Sequence, residues 1–259
     1  MYMQDMNTHP RLCECLTFGI PVRVDSEERK ENLLAVIEYL AVMQCHIIVL
    51  EADTLPHVNE IGCMNNVEYR FIEDTNTVFH RMHYINDLLR MAPTEAVAIW
   101  DTNVLVNYNQ IFEALQLIQQ GATIAYPYDG RFVMLSEQLS EQTRRKLDFE
   151  YLHNLRMKSF LGRKLCGGAY IVHKQRYLQC GGENEHFTGW GPEDAERMHR
   201  VVILGHKACH ISFGELFHLY HPCGGNSSYQ SKDDVRNMRE EFIKICCMLP
   251  EELKSYISK

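Results

Sequence analysis

The sequence predicts an α/β fold: a single domain built on a mostly parallel central sheet. Three observations predict it. Short apolar runs rich in β-branched residues alternate with amphipathic stretches through the first half of the chain, as in a parallel sheet flanked by helices. Arg23, Glu51 and Asp101 stand at the ends of predicted strands, where open α/β sheets collect ligands. The 259 residues are 46% hydrophobic and 23% charged, enough apolar surface for one sizeable core.

The elements follow in order. Leu12 to Phe18 reads as a first strand, continuing into Ile20-Pro21-Val22-Arg23. Asp25 is placed to cap the next helix, with Glu28 three residues on, and Leu33, Val36, Ile37 and Leu40 give that helix an apolar face. His46 to Leu50 is a buried strand, and Val67 to Ile72 alternates like a more exposed one. A helix is expected from about Thr77 to Met91, then a strand from Ala96 to Trp100 that stops at Asp101-Thr102-Asn103. Another helix spans about Asn109 to Gln120, and Thr123 to Tyr126 is a strand. Ser136 to Lys158 is charged and mostly helical, and Arg144, Arg145 and Lys146 read as a solvated face. Cys166-Gly167-Gly168 opens the strand Ala169 to His173. A strand around Cys209 to Phe213, a glycine loop at Gly224-Gly225 and closing helices from Asp233 and Pro250 complete the chain. There is no repeat, low-complexity tract or linker, so residues 1–259 are taken as one domain. Its halves are about 12–127 and about 128–259.

Composition excludes several classes. A net charge of −8 argues against a nucleic-acid surface. No apolar run is long enough to span a bilayer, and the first residues lack the basic start, apolar core and cleavage site of a signal peptide. A cytoplasmic chain is expected, peripheral at the inner membrane face, or one separated from its anchor. The ten cysteines include no Cys-x-x-Cys spacing, and Cys45 and Cys209 sit in apolar runs; reduced thiols are expected.

The stretch that organises the chemistry is Gly181 to Arg197, GGENEHFTGWGPEDAER. Pro192 suits the first turn of a helix, Ala195, Met198, Val201 and Val202 recur at helical spacing, and Gly205 stops it. Glu193 and Asp194 then fall where the helix dipole favours an ionised carboxylate. Upstream, Gly189-Trp190-Gly191 lets backbone pass close to a bound molecule beside a flat aromatic face. A carboxylate base next to an aromatic platform suits activation of a sugar hydroxyl.

Trp-Gly-x-Glu-Asp, preceded by a strand opened by Gly-Gly, resembles the signature of the β-1,4-galactosyltransferase and chondroitin-polymerase-like glycosyltransferases. The likeness runs from Leu16 to Pro222 and is densest from Cys166 to Arg197. It implies a GT-A fold and an inverting transfer of a hexose or N-acetylhexosamine, of galactose type, from a UDP-sugar to a glycan hydroxyl. Carried over residue by residue, Asp194 is the catalytic base with Glu193 beside the acceptor, and Trp190 and Gly189 line the acceptor sugar. Thr188 stands where galactosyltransferases carry a second Trp. Asp101-Thr102-Asn103 takes the place of Asp-x-Asp, with Asn103 replacing a charged metal ligand. His221 and His218 take the places of later metal ligands, a mixed set suited to manganese, with magnesium as the alternative. Pro21, Val22, Arg23 and Asp25 at the first strand end, Glu51, Arg81, Asp101 and Gly168 form the implied donor site. Arg81 would lie near the diphosphate. The implied partners are the UDP-sugar and a glycan or lipid-linked saccharide.

Two other classes stay open. A sugar nucleotidyltransferase would want a glycine-rich loop after the first strand, and IPVRVDSEER has no glycine. A carbohydrate-binding protein of the same fold that has lost turnover is compatible with Asn103.

Overall fold

The computed structural model describes residues 14–189, 191–222, 224 and 231–258. The expected start of the first strand at Leu12 and the second glycine of the late loop, Gly225, lie outside the described residues. The centre is a seven-stranded sheet made of β1 (Leu16–Val22), β2 (His46–Asp53), β3 (Val67–Glu73), β4 (Ala96–Trp100), β6 (Ile124–Tyr126), β8 (Ala169–His173) and β9 (Ala208–His210), in the order β3-β2-β1-β4-β8-β6-β9. β1 to β4 are parallel, and β8 runs antiparallel to both β4 and β6. β1 and β4 are buried along their whole length, as expected of strands covered on both faces.

The ladder between β1 and β4 stops at Gly19–Ile99, whereas β1 and β2 stay paired to Val22–Glu51. Pro21, which has no N–H to give, falls beyond the shorter ladder, so a proline is tolerated in a central strand. The carboxyl ends of β1, β2 and β4 form the edge on which the site is built.

Helices α1 (Glu27–Ala41), α2 (Arg81–Met91) and α3 (Tyr108–Gln119) cover the sheet. α1 starts one residue later than Asp25 would cap it: Ser26 accepts from the Arg29 N–H, and Asp25 instead binds the Arg29 guanidinium. α2 begins at Arg81 rather than near Thr77, because Asp74 collects the Asn76 N–H and the Arg23 guanidinium and holds that stretch as a loop. The Asn107 and Gln110 capping box starts α3. The region 136–158 contains α4 (Glu137–Arg145) and α5 (Phe149–Asn154). Arg145 is exposed there, but Arg144 is largely covered and pairs with Glu31 and Asn32.

A small second sheet, ordered β5 (Val104–Leu105), β10 (Leu216–His218), β7 (Phe132–Met134), brings the chain after Asp101 beside the chain before His221. α6 (Lys174–Gln179) follows β8, and α8 (Lys232–Cys247) and α9 (Pro250–Ile257) close the chain, Pro250 in the first turn.

α7 (Glu193–Ile203) corrects the expected apolar face. Val202 is 52% exposed, and the buried residues are Glu193, Glu196, Arg197, Arg200 and Val201. The charges of Glu196, Arg197 and Arg200 are tolerated because they are paired. Arg200 donates to Glu196 and to the carbonyls of Cys180 and Gly182, and Arg197 donates to Glu183. All eight cysteines among the described residues are free thiols.

Candidate active site

Asp194 sits in the first turn of α7, its side chain 33% exposed. Its Oδ1 accepts from Arg197 Nη1 at 2.8 Å. Its Oδ2 points at Gly167, where an added Cβ would lie 2.3 Å away. The carboxylate therefore rests against bare backbone, in a turn fixed by the Tyr128 hydroxyl donating to the Gly167 carbonyl at 2.7 Å. Gly168 adopts φ +82° and its carbonyl accepts from the Asp101 N–H at 2.8 Å. This turn thus ties the end of β4 to the start of α7.

Glu193, next to Asp194, is buried, and its Oε2 has no hydrogen-bond partner among the described residues. Burial first, and then the neighbouring Asp194 charge, push its carboxyl well above the usual range. The folded protein thereby favours the protonated form of Glu193. Gly191 packs so closely on α8 that a Cβ would meet Met238 Sδ at 2.6 Å. Gly189, at φ +76°, lies by Val78. Trp190 is outside the described residues.

Arg81, at the start of α2, donates through Nη2 to Asp101 Oδ1. Burial opposes its charge, but Asp101 and then Asp194 outweigh burial and raise its pKa. Arg81, Asp101 and Asp194 therefore form one electrostatic group.

Asn103 is buried and its amide meets His218 Nε2 at 3.0 Å, while its carbonyl accepts from the Leu219 N–H. If the amide donates, the His218 proton sits on Nδ1, a buried nitrogen with no partner among the described residues. Burial, and then His221, depress His218 to about 4, so the ring is neutral, with its lone pair on the Nε2 that faces the Asn103 amide. The His218 and His221 rings are 5.3 Å apart, and His221 Nδ1 lies 3.4 Å from Arg29 Nη2. Burial and Arg29 lower His221 as well. A neutral imidazole pair, an amide oxygen and a carboxylate suit a manganese-type ion. Asp101, His218 and His221 do not converge: among the described residues the only His, Cys, Asp or Glu ligand atoms that cluster within 4.8 Å in a group of three are those of Glu51, Asp53 and His57.

The structure draws two predicted donor residues inwards. Arg23 Nε donates to the Ala52 carbonyl, Nη1 to the Asn76 carbonyl and Nη2 to Asp74, and its guanidinium lies over Phe79. It fastens the ends of β1 and β2 to the loop before α2. Glu51 is fully buried and accepts from the His57 and Val58 N–H groups and the Tyr69 hydroxyl. Pro21 and Val22 line the end of β1, and Asp25 lies against Gly224 and Arg29. Sequence reasoning missed Asp53 and His57; Glu-x-Asp at a strand end with a His four residues on was the available signal.

Comparisons with known proteins place this geometry. Residues 153–222, which carry Gly167, Gly168, Glu193, Asp194, His218 and His221, match the family model described as the N-terminal domain of galactosyltransferase. A structure of GalNAc-T7 with UDP, GalNAc and Mn2+ superposes with a TM-score of 0.59 over 94% of this chain, at 12% identity. The chain has the GT-A fold of the galactosyltransferase-like glycosyltransferases. It spans about half, 50%, of the length of GalNAc-T7. The catalytic domain of Drosophila β1,4-galactosyltransferase 7 with xylobiose aligns over 92% of this GT-A chain and 82% of its own, at 18% identity and TM-score 0.50. A single-residue mutant of that enzyme, in complex with manganese, UDP-Gal and xylobiose, aligns over 88% and 78%, at 15% identity and TM-score 0.53. No curated protein sequence matches this chain significantly. No helix among its described residues is long and apolar enough to cross a membrane.

Proposed function

We propose that this chain is an inverting glycosyltransferase that moves a hexose or N-acetylhexosamine, of galactose type, from a UDP-sugar to a glycan hydroxyl. One observation carries the reading. Asp194 is a half-open carboxylate on a helix start, with one oxygen against bare backbone, electrostatically coupled to the Arg81–Asp101 pair at the sheet's carboxyl edge.

The acceptor oxygen attacks the anomeric carbon while its proton passes to Asp194 Oδ2. The bond from that carbon to the diphosphate oxygen breaks, and UDP leaves with the electron pair. One displacement from the opposite face inverts the configuration. The sugar gains cationic character as in glycosidase transition states. Arg81 supplies positive charge near the leaving phosphates. Asp101, Asn103, His218 and His221 are the residues proposed to hold a manganese-type ion, which when bound would neutralise diphosphate charge. Glu193, kept neutral by burial, is a hydrogen-bond donor for the acceptor, and Gly189 and Trp190 are proposed to flank it. In this scheme the half before about residue 127 carries the donor, and the half after about 128 carries the acceptor and base.

The probes follow from the proposed donor class, and UDP-galactose, manganese and xylobiose are bound together in one of the neighbours. UDP-galactose and UDP-N-acetylgalactosamine, each with manganese, are to be tested for UDP release with xylobiose and other saccharides as acceptors. Release that depends on acceptor supports transfer. Asn103 favours a second reading, a donor-binding chain without turnover, since its amide is engaged with His218. Calorimetric donor binding with no release across acceptors would select it.

A further inference from the structure

We propose that Arg197 is a positioning residue: it holds Asp194 Oδ1 so that Oδ2 is the oxygen offered to the incoming hydroxyl. The inference rests on Asp194 being the base.

Arg197 is completely buried, and a guanidinium there needs charge and hydrogen-bond partners. Glu183 provides both. Its Oε1 accepts Arg197 Nε at 2.8 Å and its Oε2 accepts Nη2 at 2.9 Å. The Tyr170 and Tyr177 hydroxyls donate to the same Oε1 at 2.6 and 2.7 Å, and the Tyr170 ring lies 4.1 Å from the guanidinium carbon. The Arg197–Glu183 pair is charge-balanced without Asp194.

The contact from Nη1 to Asp194 at 2.8 Å is therefore an addition that the buried pair does not require. An ordinary ion pair three residues apart on a helix joins two mobile side chains and fixes neither. Here one end is immobile. The planar fork sends two nitrogens to Glu183 and the third outwards, a geometry a lysine ammonium does not reproduce. With Oδ1 claimed, the plane of the carboxylate is set, and Oδ2 is the oxygen that meets the bare backbone of Gly167. The chain from Tyr170 and Tyr177 through Glu183 and Arg197 thus transmits the rigidity of the core to a half-exposed carboxylate.

The test compares Arg197→Lys and the double variant Glu183→Gln/Arg197→Met, which removes both buried charges and keeps the core neutral, with wild type and Asp194→Asn. UDP release from UDP-galactose and UDP-N-acetylgalactosamine with manganese gives turnover, and calorimetry gives donor affinity. Both Arg197 variants are expected to bind donor as wild type does, and to lose turnover by about 10- to 100-fold through misplacement of the base. Adding Asp194→Asn to the double variant should cost less than adding it to wild type, because the two act through one group. A folded double variant with wild-type turnover, a parallel loss of donor binding, or additive effects would overturn the inference. If Asp194→Asn turns over normally, it is the base assignment that fails. If Asp194→Asn is inactive while the Arg197 variants are not, the positioning role alone fails. Absence of release by wild type removes the transfer reading, and this inference with it.

Discussion

Asp194 Oδ2 lies where a side chain at Gly167 would begin: the missing Cβ would be 2.3 Å from it. Position 167 is not in the left-handed region, so an alanine there is conformationally acceptable and clashes only with the tip of Asp194. Gly167→Ala should therefore fold, with a change in stability of about 1 kcal/mol or less. Turnover should fall by about 100-fold as the carboxylate swings aside. Steady-state kinetics and a melting curve on the same preparation check both halves.

Asn103 offers His218 an amide where a second aspartate would offer charge. Asn103→Asp should tighten manganese binding by about tenfold, the scale set by changes around a metal's ligands. His57→Ala, in the Glu51–Asp53–His57 cluster, should leave manganese affinity unaltered. Calorimetry with the metal alone distinguishes the two places. Loss of binding in His57→Ala would move the ion to the end of β2.

Glu183 is held down to about 2: burial opposes its charge, but Arg197 and the Tyr170 and Tyr177 hydroxyls outweigh burial. A depressed carboxyl stabilises the fold above its unfolded value and loses that contribution as pH falls through its folded value. The melting temperature should drop steeply between about pH 4.5 and pH 2. Glu183→Gln, which strands the Arg197 charge, should cost about 3–5 kcal/mol at neutral pH and flatten that acid limb. Chemical denaturation across the pH range reads both effects.

Glu193 behaves in the opposite sense. Its carboxyl is raised by burial and by Asp194, so the folded state favours the protonated form. That contribution is whole below the ordinary carboxylate range and is lost as pH rises through the raised value. Glu193→Gln should leave stability near pH 4 unchanged and increase it above neutrality. An equal effect at both ends of the range would show that Glu193 ionises freely.

Much of the scaffold was legible in the sequence. β2 and β4 announce themselves as HIIVL and AVAIW, apolar strands that only a sheet covered on both faces can use. The start of α7 was legible because Pro192, Glu193 and Asp194 follow helix-start preferences. Its buried face was not, because periodicity counts apolar residues and cannot see that Arg197 and Arg200 find Glu183 and Glu196. The inward turn of Arg23 was equally hidden: its partner Asp74 is 51 residues away, and only the folded chain brings the two together. The pairing of Asn103 with His218 depends on a two-residue strand, Val104–Leu105, too short to leave a pattern.

The most direct measurement is the turnover of Asp194→Asn with UDP-galactose and UDP-N-acetylgalactosamine, alongside calorimetric donor affinity and a melting curve. The account predicts a folded protein that binds donor as wild type does and transfers about 100-fold or more slowly, the scale on which a positioned base acts. Near-native transfer by that variant would contradict it.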